Sequence, residues 1–125
     1  MRKFLWIGLA GAAGAITRVA IGQIVSNDSG FPFSTLTVNI VGTFLLCFIV
    51  ARAVLKLVVS KELQDIMTTG FLGSFTTFSA VSMETVLLLE KGQIIVAGLY
   101  IIFSVIGGLS AGMLGFRLGR KRVRT

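Results

Sequence analysis

Two stretches of this chain, residues 31–51 and 92–116, carry no charged side chain. Two more, residues 4–25 and 66–89, carry one each, Arg18 and Glu84. A helix crosses the hydrocarbon core of a bilayer with about 20 mostly apolar residues, and each run has that length. In lipid a spanning segment must satisfy its backbone hydrogen bonds internally, and these runs are too long for barrel strands. The expectation is an all-α integral membrane protein with four transmembrane helices, roughly residues 4–25, 34–58, 63–89 and 93–117. Those spans fill a chain of 125 residues and leave no room for a soluble domain, so residues 1–125 read as one membrane domain.

The opening "MRKFLWIGLAGAAGAITR" has the basic start, apolar core and small residues of a signal peptide. With three further spans behind it, a retained first helix is the simpler reading. Cys47, the sole cysteine, lies inside the second span and reads as a small buried apolar residue. A net charge of +7 suggests nucleic acid until its distribution is seen. Arg2, Lys3, Arg52, Lys56, Lys61, Arg117, Arg120, Lys121, Arg122 and Arg124 fall on one side of a four-span protein, against Lys91 on the other. The positive-inside rule then places both termini in the cytoplasm of a multi-pass cell-membrane protein. The basic tail suits anionic lipid headgroups, and nucleic acid is not a partner.

Each span also carries polar groups at membrane depth, where they usually face an interior or a water-filled path. The first has Thr17 and Arg18. The second has Thr35, Asn39 and Thr43, four apart and so on one helix face. The fourth has Tyr100 and Ser104, also four apart. It further holds a ladder of small residues, Gly107, Ala111, Gly115 and Gly119, with Gly108 and Gly112 alongside, which permits close helix packing or dimerisation. Taken singly, each group has a plain structural reading. Serine and threonine bond to their own helix backbone, Asn39 ties helices together, and Phe71, Phe75 and Phe78 form a core or lipid-facing stripe.

The third span holds "TTGFLGSFTTFSAVSMETV", residues 68–86. Its two glycines each weaken a helix by about 1 kcal/mol relative to alanine. Its adjacent threonines, Thr76 and Thr77, compete for local backbone hydrogen bonds. A helix interruption near Gly73 and Thr76 would free carbonyl oxygens, acceptable only where they line water, bind an ion or are buried in protein. Apart from Glu84, the intramembrane groups are mainly hydrogen-bond donors, which suits an anion. Histidine is absent, and there is no cysteine–histidine metal cluster, phosphate loop or activated nucleophile, so the chain does not read as an enzyme.

"TLTVN" at residues 35–39, "TTGFLGSFTTFS" at 68–79, Glu84, "GAITR" ending at Arg18, and the Tyr100/Ser104 pair together resemble the Fluc (CrcB) family of fluoride channels. The resemblance runs through nearly the whole chain, and the third-span string is its specific part. It implies an antiparallel, dual-topology dimer with two narrow fluoride paths between its subunits and a third helix broken at mid-membrane. It implies a structural sodium ion (Na+) on the backbone carbonyls of Gly73 and Thr76. It further implies fluoride-path roles for Asn39, Thr77, Phe78, Ser79, Ser82, Tyr100 and Ser104, and passive export of fluoride from the cytoplasm. Arg18 and Glu84 remain as further intramembrane polar residues.

The chain departs from the family pattern at Val81, where a second phenylalanine is frequent, and at Gly108, where serine is frequent; Ser34 stands where glycine is common. The charge bias raises a sharper hypothesis. A chain with a strong orientation preference cannot easily insert both ways, so its partner is expected to be an oppositely oriented homologue; the alternative is a homodimer that forms despite the bias, since topology rules are statistical. Two rival readings stand beside the channel. A small multidrug exporter would need a first-helix glutamate, where this chain has Arg18. A structural membrane subunit would tolerate loss of Asn39 and Phe78.

Overall fold

The computed structural model describes residues 1–25, 28–55 and 60–121. Among them every regular element is helical, and four stretches are long and apolar enough to cross a membrane. The first two are single helices, α1 (Arg2–Val25) and α2 (Phe33–Val54). The third, Lys61–Glu90, is composite. It begins as α3 (Lys61–Asp65), widens into a π-helical segment (Ile66–Leu72), closes with the single turn α4 (Gly73–Phe75) and resumes as α5 (Phe78–Glu90). The fourth is α6 (Ile94–Lys121). The second span ends as a helix at Val54, and Lys56, Arg122 and Arg124 lie outside the described residues.

Local chemistry sets the helix ends. Pro32 stands immediately before α2, and its carbonyl accepts the Leu36 N–H at 3.3 Å. Ser60 caps α3 by accepting the Leu63 N–H at 3.1 Å, satisfying one of the donors a helix start leaves free. At the other end of the third span Gly92 takes φ +76°, a left-handed conformation that glycine adopts without steric cost. The Gln93 N–H then reaches the Leu88 carbonyl at 2.9 Å and the Gly92 N–H the Leu89 carbonyl at 3.0 Å. This Schellman arrangement turns the chain straight into α6, so α5 and α6 form a tight hairpin.

The third span changes partners along its length. Its π-helical segment and α4 lie against α1, whereas α5 lies against α6, and α2 runs along α6. Glycines make these contacts close. A Cβ on Gly14 would collide with the Phe71 carbonyl, and one on Gly70 would sit 2.8 Å from the Ile7 carbonyl oxygen. On α6, a Cβ at Gly115 would collide with the Phe44 carbonyl, and one at Gly119 would sit 2.8 Å from that of Phe48. The small-residue ladder is therefore used inside the chain, against α2. Gly108 is the exception in that region, with nothing within 4 Å of its Cβ position. Apolar helices gain no hydrophobic energy by meeting in lipid, so this backbone proximity carries much of their association.

Two small cores result. Val38, Leu72 and Phe75 are buried together, and Leu88, Ala97 and Tyr100 form a second cluster. Most other large apolar side chains face outward. Most of the basic groups gather at one end, where Lys3 Nζ lies 2.6 Å from Asp65 Oδ2, tying the start of α1 to the start of the third span. At the same end the Arg52 and Arg120 guanidiniums each stand 5.7 Å from the ring centres of Phe48 and Phe116. Lys91 occupies the α5–α6 turn at the far end.

The glycine contacts give the first test. Gly115→Val is expected to lower stability by about 2 kcal/mol or more, because the Phe44 backbone has nowhere to go. Gly98→Ala, which meets open space, should leave it nearly unchanged. Thermal melting of the two variants in detergent checks the contrast.

Candidate functional site

The break in the third span falls on two threonines. Thr76 has φ −79° and ψ 154°, and Thr77 has φ −151° and ψ 119°, both extended. β-branched side chains are comfortable in that conformation. Gly73, by contrast, stays helical at φ −62° and ψ −29°. The glycines of the segment therefore do not make the interruption, which falls just beyond Gly73. Gly70 serves the contact with α1 instead.

An extended pair inside a membrane span frees backbone groups that must find partners. Asn39, on the facing side of α2, supplies them. Its Oδ1 accepts the Thr77 N–H at 2.8 Å, and its Nδ2 donates to the Thr77 carbonyl at 2.9 Å. One side-chain amide thus replaces both bonds that a peptide would make in a ladder. The Thr77 hydroxyl caps α5 by accepting the Ala80 N–H at 3.2 Å. Together these bonds divert the amides that a continuous helix would direct at the carbonyls of Gly73 and Thr76. Both oxygens are released from helical pairing at the same place.

Beside the break lies an open groove of about 540 Å³ between α2, α5 and α6. Asn39, Thr77, Phe78, Ser82 and Ser104 line it, five of the seven path residues named from sequence. Its lining includes no charged side chain. The break swings Phe78 out of the stripe expected with Phe71 and Phe75. Those two rings remain stacked at 5.7 Å, whereas Phe78 is 84% exposed at the groove. Val81 and Gly108 also line this space, so two of the three departures from the family pattern open on the groove, one from α5 and one from α6. Thr43 and Thr85 were not among the path residues named from sequence. Helical spacing held the signal, since Thr43 is one turn beyond Asn39 and Thr85 two turns beyond Phe78.

Two expected path residues lie elsewhere. Ser79 is exposed next to the groove, and its hydroxyl is 3.1 Å from that of Thr77. Tyr100 is fully buried and does not line the groove. Its hydroxyl donates to Glu84 Oε2 at 2.6 Å, while Thr35 donates to Glu84 Oε1 at 2.7 Å. Glu84 is thus held by two hydroxyls from α2 and α6, and it borders a smaller recess with Phe31, Ser34 and Lys91. The Phe31 ring meets Tyr100 edge-on at 5.6 Å, which keeps the phenol inside. Arg18, on α1, stands apart from the groove with its Nε buried and unbonded among the described residues.

Comparison with known proteins covers most of the chain. The family model "CrcB-like protein, Camphor Resistance (CrcB)" matches residues 5–116. A protein of Desulfitobacterium hafniense (strain Y51) named "Fluoride-specific ion channel FluC 1" is 41% identical over 108 residues, covering 86% of this chain and 95% of its own length. "Fluoride-specific ion channel FluC" of Oceanobacillus iheyensis is 41% identical over 118 residues, with 94% and 92% covered. The protein of that name in Thermus thermophilus is 40% identical over 121 residues, with 95% and 96% covered.

The amide clamp can be tested apart from any activity. Asn39→Ala leaves the Thr77 N–H and carbonyl without partners and is expected to cost about 2 kcal/mol of stability. Hydrogen exchange at the Thr77 amide should accelerate in the same variant, while the amides in the middle of α1 remain protected.

Proposed function

This chain belongs to the CrcB-like family, and from that premise we propose that it is a fluoride-selective passive channel, not an enzyme, that lowers cytoplasmic fluoride. The observation that carries the reading is the uncharged groove at the helix break, lined by amide, hydroxyl and aromatic groups. Fluoride is small and strongly hydrated. A path that excludes bulkier halides must replace its water with donors held close, and a fixed positive charge would hold the ion too tightly to release it. The Asn39 amide and the Ser104 hydroxyl offer such donors, and the Thr77 and Ser82 hydroxyls lie beside them on the same lining. Phe78 offers the positive edge of its ring, which attracts an anion without a formal charge. Ser79 extends the donor line at the groove margin. Tyr100 acts through Glu84, which it and Thr35 hold in place.

The groove is open on one side, and in this proposal a second, oppositely oriented subunit closes it within a cell membrane, with lipid around the pair. The released carbonyls of Gly73 and Thr76 fit a hard cation that takes oxygen ligands. Two such pairs, one from each subunit, would hold a structural Na+ at the centre. Bound there, it supplies a fixed positive charge that favours anions nearby. The one-ended charge, with Arg2, Lys3, Lys61, Arg117, Arg120 and Lys121 on one side, supports a cytoplasmic location of both termini. It also favours a homologue of opposite charge bias as the partner over a second copy.

The test is fluoride efflux from liposomes holding the purified chain, alone and with an oppositely biased homologue. Fluoride is expected to leave rapidly while chloride is retained. Phe78→Ile should cut the rate by at least about tenfold, the equivalent of 1.4 kcal/mol in the barrier. Activity only in the mixed preparation identifies half of a heterodimer. Failure of both preparations to pass fluoride rejects the channel.

A further inference from the structure

The groove contains more hydroxyls than free protons. A hydroxyl has one proton to donate, so each one directed at a backbone carbonyl is withdrawn from an anion. Ser82 donates to the Phe78 carbonyl at 3.1 Å, Thr85 to that of Val81 at 2.7 Å and Thr76 to that of Leu72 at 3.0 Å. Thr77 and Ser79 share one proton between their hydroxyls and keep the other, while Thr77 Oγ1 also accepts the Ala80 N–H. The Asn39 amide has one N–H on the Thr77 carbonyl and keeps the other. Two hydroxyls of the lining make no hydrogen bond among the described residues: that of Ser104, whose Oγ is buried, and that of Thr43.

Thr43 differs from four other threonines of the spans in a way that its surroundings explain. Thr17, Thr68, Thr76 and Thr85 each turn the hydroxyl back onto the carbonyl four residues earlier. The methyl of Thr43 instead lies 3.4 Å from the Cβ position of Gly112 on α6. That contact seats the methyl on α6 and leaves the hydroxyl on the other branch of the side chain, unspent. One turn earlier on α6, Gly108 offers bare backbone to the same groove, with nothing within 4 Å of its Cβ position. Ser104 follows one turn earlier still. The wall from Ser104 to Gly108 therefore has a donor at one end only, and Thr43 faces it from α2.

We propose that Thr43 is a direct anion donor and selectivity-determining residue of this groove, pairing its hydroxyl with that of Ser104 across the stretch that Gly108 leaves bare. The inference rests on the channel reading and adds to it a ligand on α2 beyond Asn39. It predicts that a dehydrated anion passing the break is handed from the Asn39 amide to Thr43 one turn further along the same face.

Three variants in the liposome assay separate a donor from a packing residue, using whichever assembly conducts. Thr43→Val keeps the methyl against Gly112 and removes the proton. It should reduce fluoride efflux by about tenfold, as loss of one hydrogen bond to a charged group does, and erode the preference over chloride, with melting near that of the parent. Thr43→Ser keeps the proton and should restore most of the rate. Gly108→Ser, placed in the Thr43→Val background, puts a hydroxyl on the bare stretch and should recover part of it. Parent-like rate and selectivity in Thr43→Val overturn the proposal. So does an equal loss in Thr43→Val and Thr43→Ser, which would mark a packing role for the side chain. If the parent passes no fluoride in either assembly, the channel reading fails, and this inference with it.

Discussion

The reciprocal pair of hydrogen bonds between the Asn39 side chain and the backbone of Thr77 is the contact on which the rest of this architecture depends. A membrane span tolerates an interruption only if something other than water satisfies the freed peptide groups. Here one amide does so from a neighbouring helix. The bonds fix α2 against the third span at the depth of the break. With the Thr77 hydroxyl cap they also settle which carbonyls are left over: Asn39 diverts the Thr77 amide from Gly73, and the cap diverts the Ala80 amide from Thr76. Groove, exposed phenylalanine and released oxygens all follow from that one substitution of partners.

The break also lets one span serve two neighbours. Before it, glycines at 14 and 70 bring α1 and the π-helical segment into backbone contact. After it, the Gly92 turn folds α5 back onto α6. A continuous helix would keep Phe78 on the same face as Phe71 and Phe75. Two extended residues rotate it away, from the buried face of the segment to an almost fully exposed position. The exposure of a large aromatic ring beside a polar groove is what a surface completed by another subunit would show. The one-ended charge bears on how such a subunit is oriented. On the proposal of a channel, a partner of opposite orientation would accommodate both features, one from packing and one from composition.

Glu84 illustrates how a membrane-embedded charge is accommodated. Both oxygens accept hydrogen bonds, from hydroxyls on two different helices, so the carboxylate ties α2, α5 and α6 together on the side of the groove near the α5–α6 turn. Arg18 follows a different course. It lies on α1, away from the groove, with a buried Nε that meets no acceptor among the described residues.

Apolar runs of spanning length with at most one charge each were enough to specify four helices, because the cost of unpaired backbone in lipid leaves few alternatives to a helix. The one-ended charge was equally plain in the order of residues. The third-span string identified where the chain would be unusual, and the polar set was legible down to Asn39, Phe78 and Ser104. Propensity offered two causes for the break, the glycines and the adjacent threonines, and only the second holds: Gly73 stays helical, and Thr76 and Thr77 carry the extended conformation. Tyr100 shares a helix face with Ser104 by spacing, yet it turns inward to Glu84. Spacing along one helix fixes a direction but not what waits there. Only the tertiary structure decided which hydroxyls are spent on carbonyls, which glycines are used within the chain, and that Gly108 and Thr43 face the same groove. Each of those outcomes depends on the distance between helices, and no single helix encodes it.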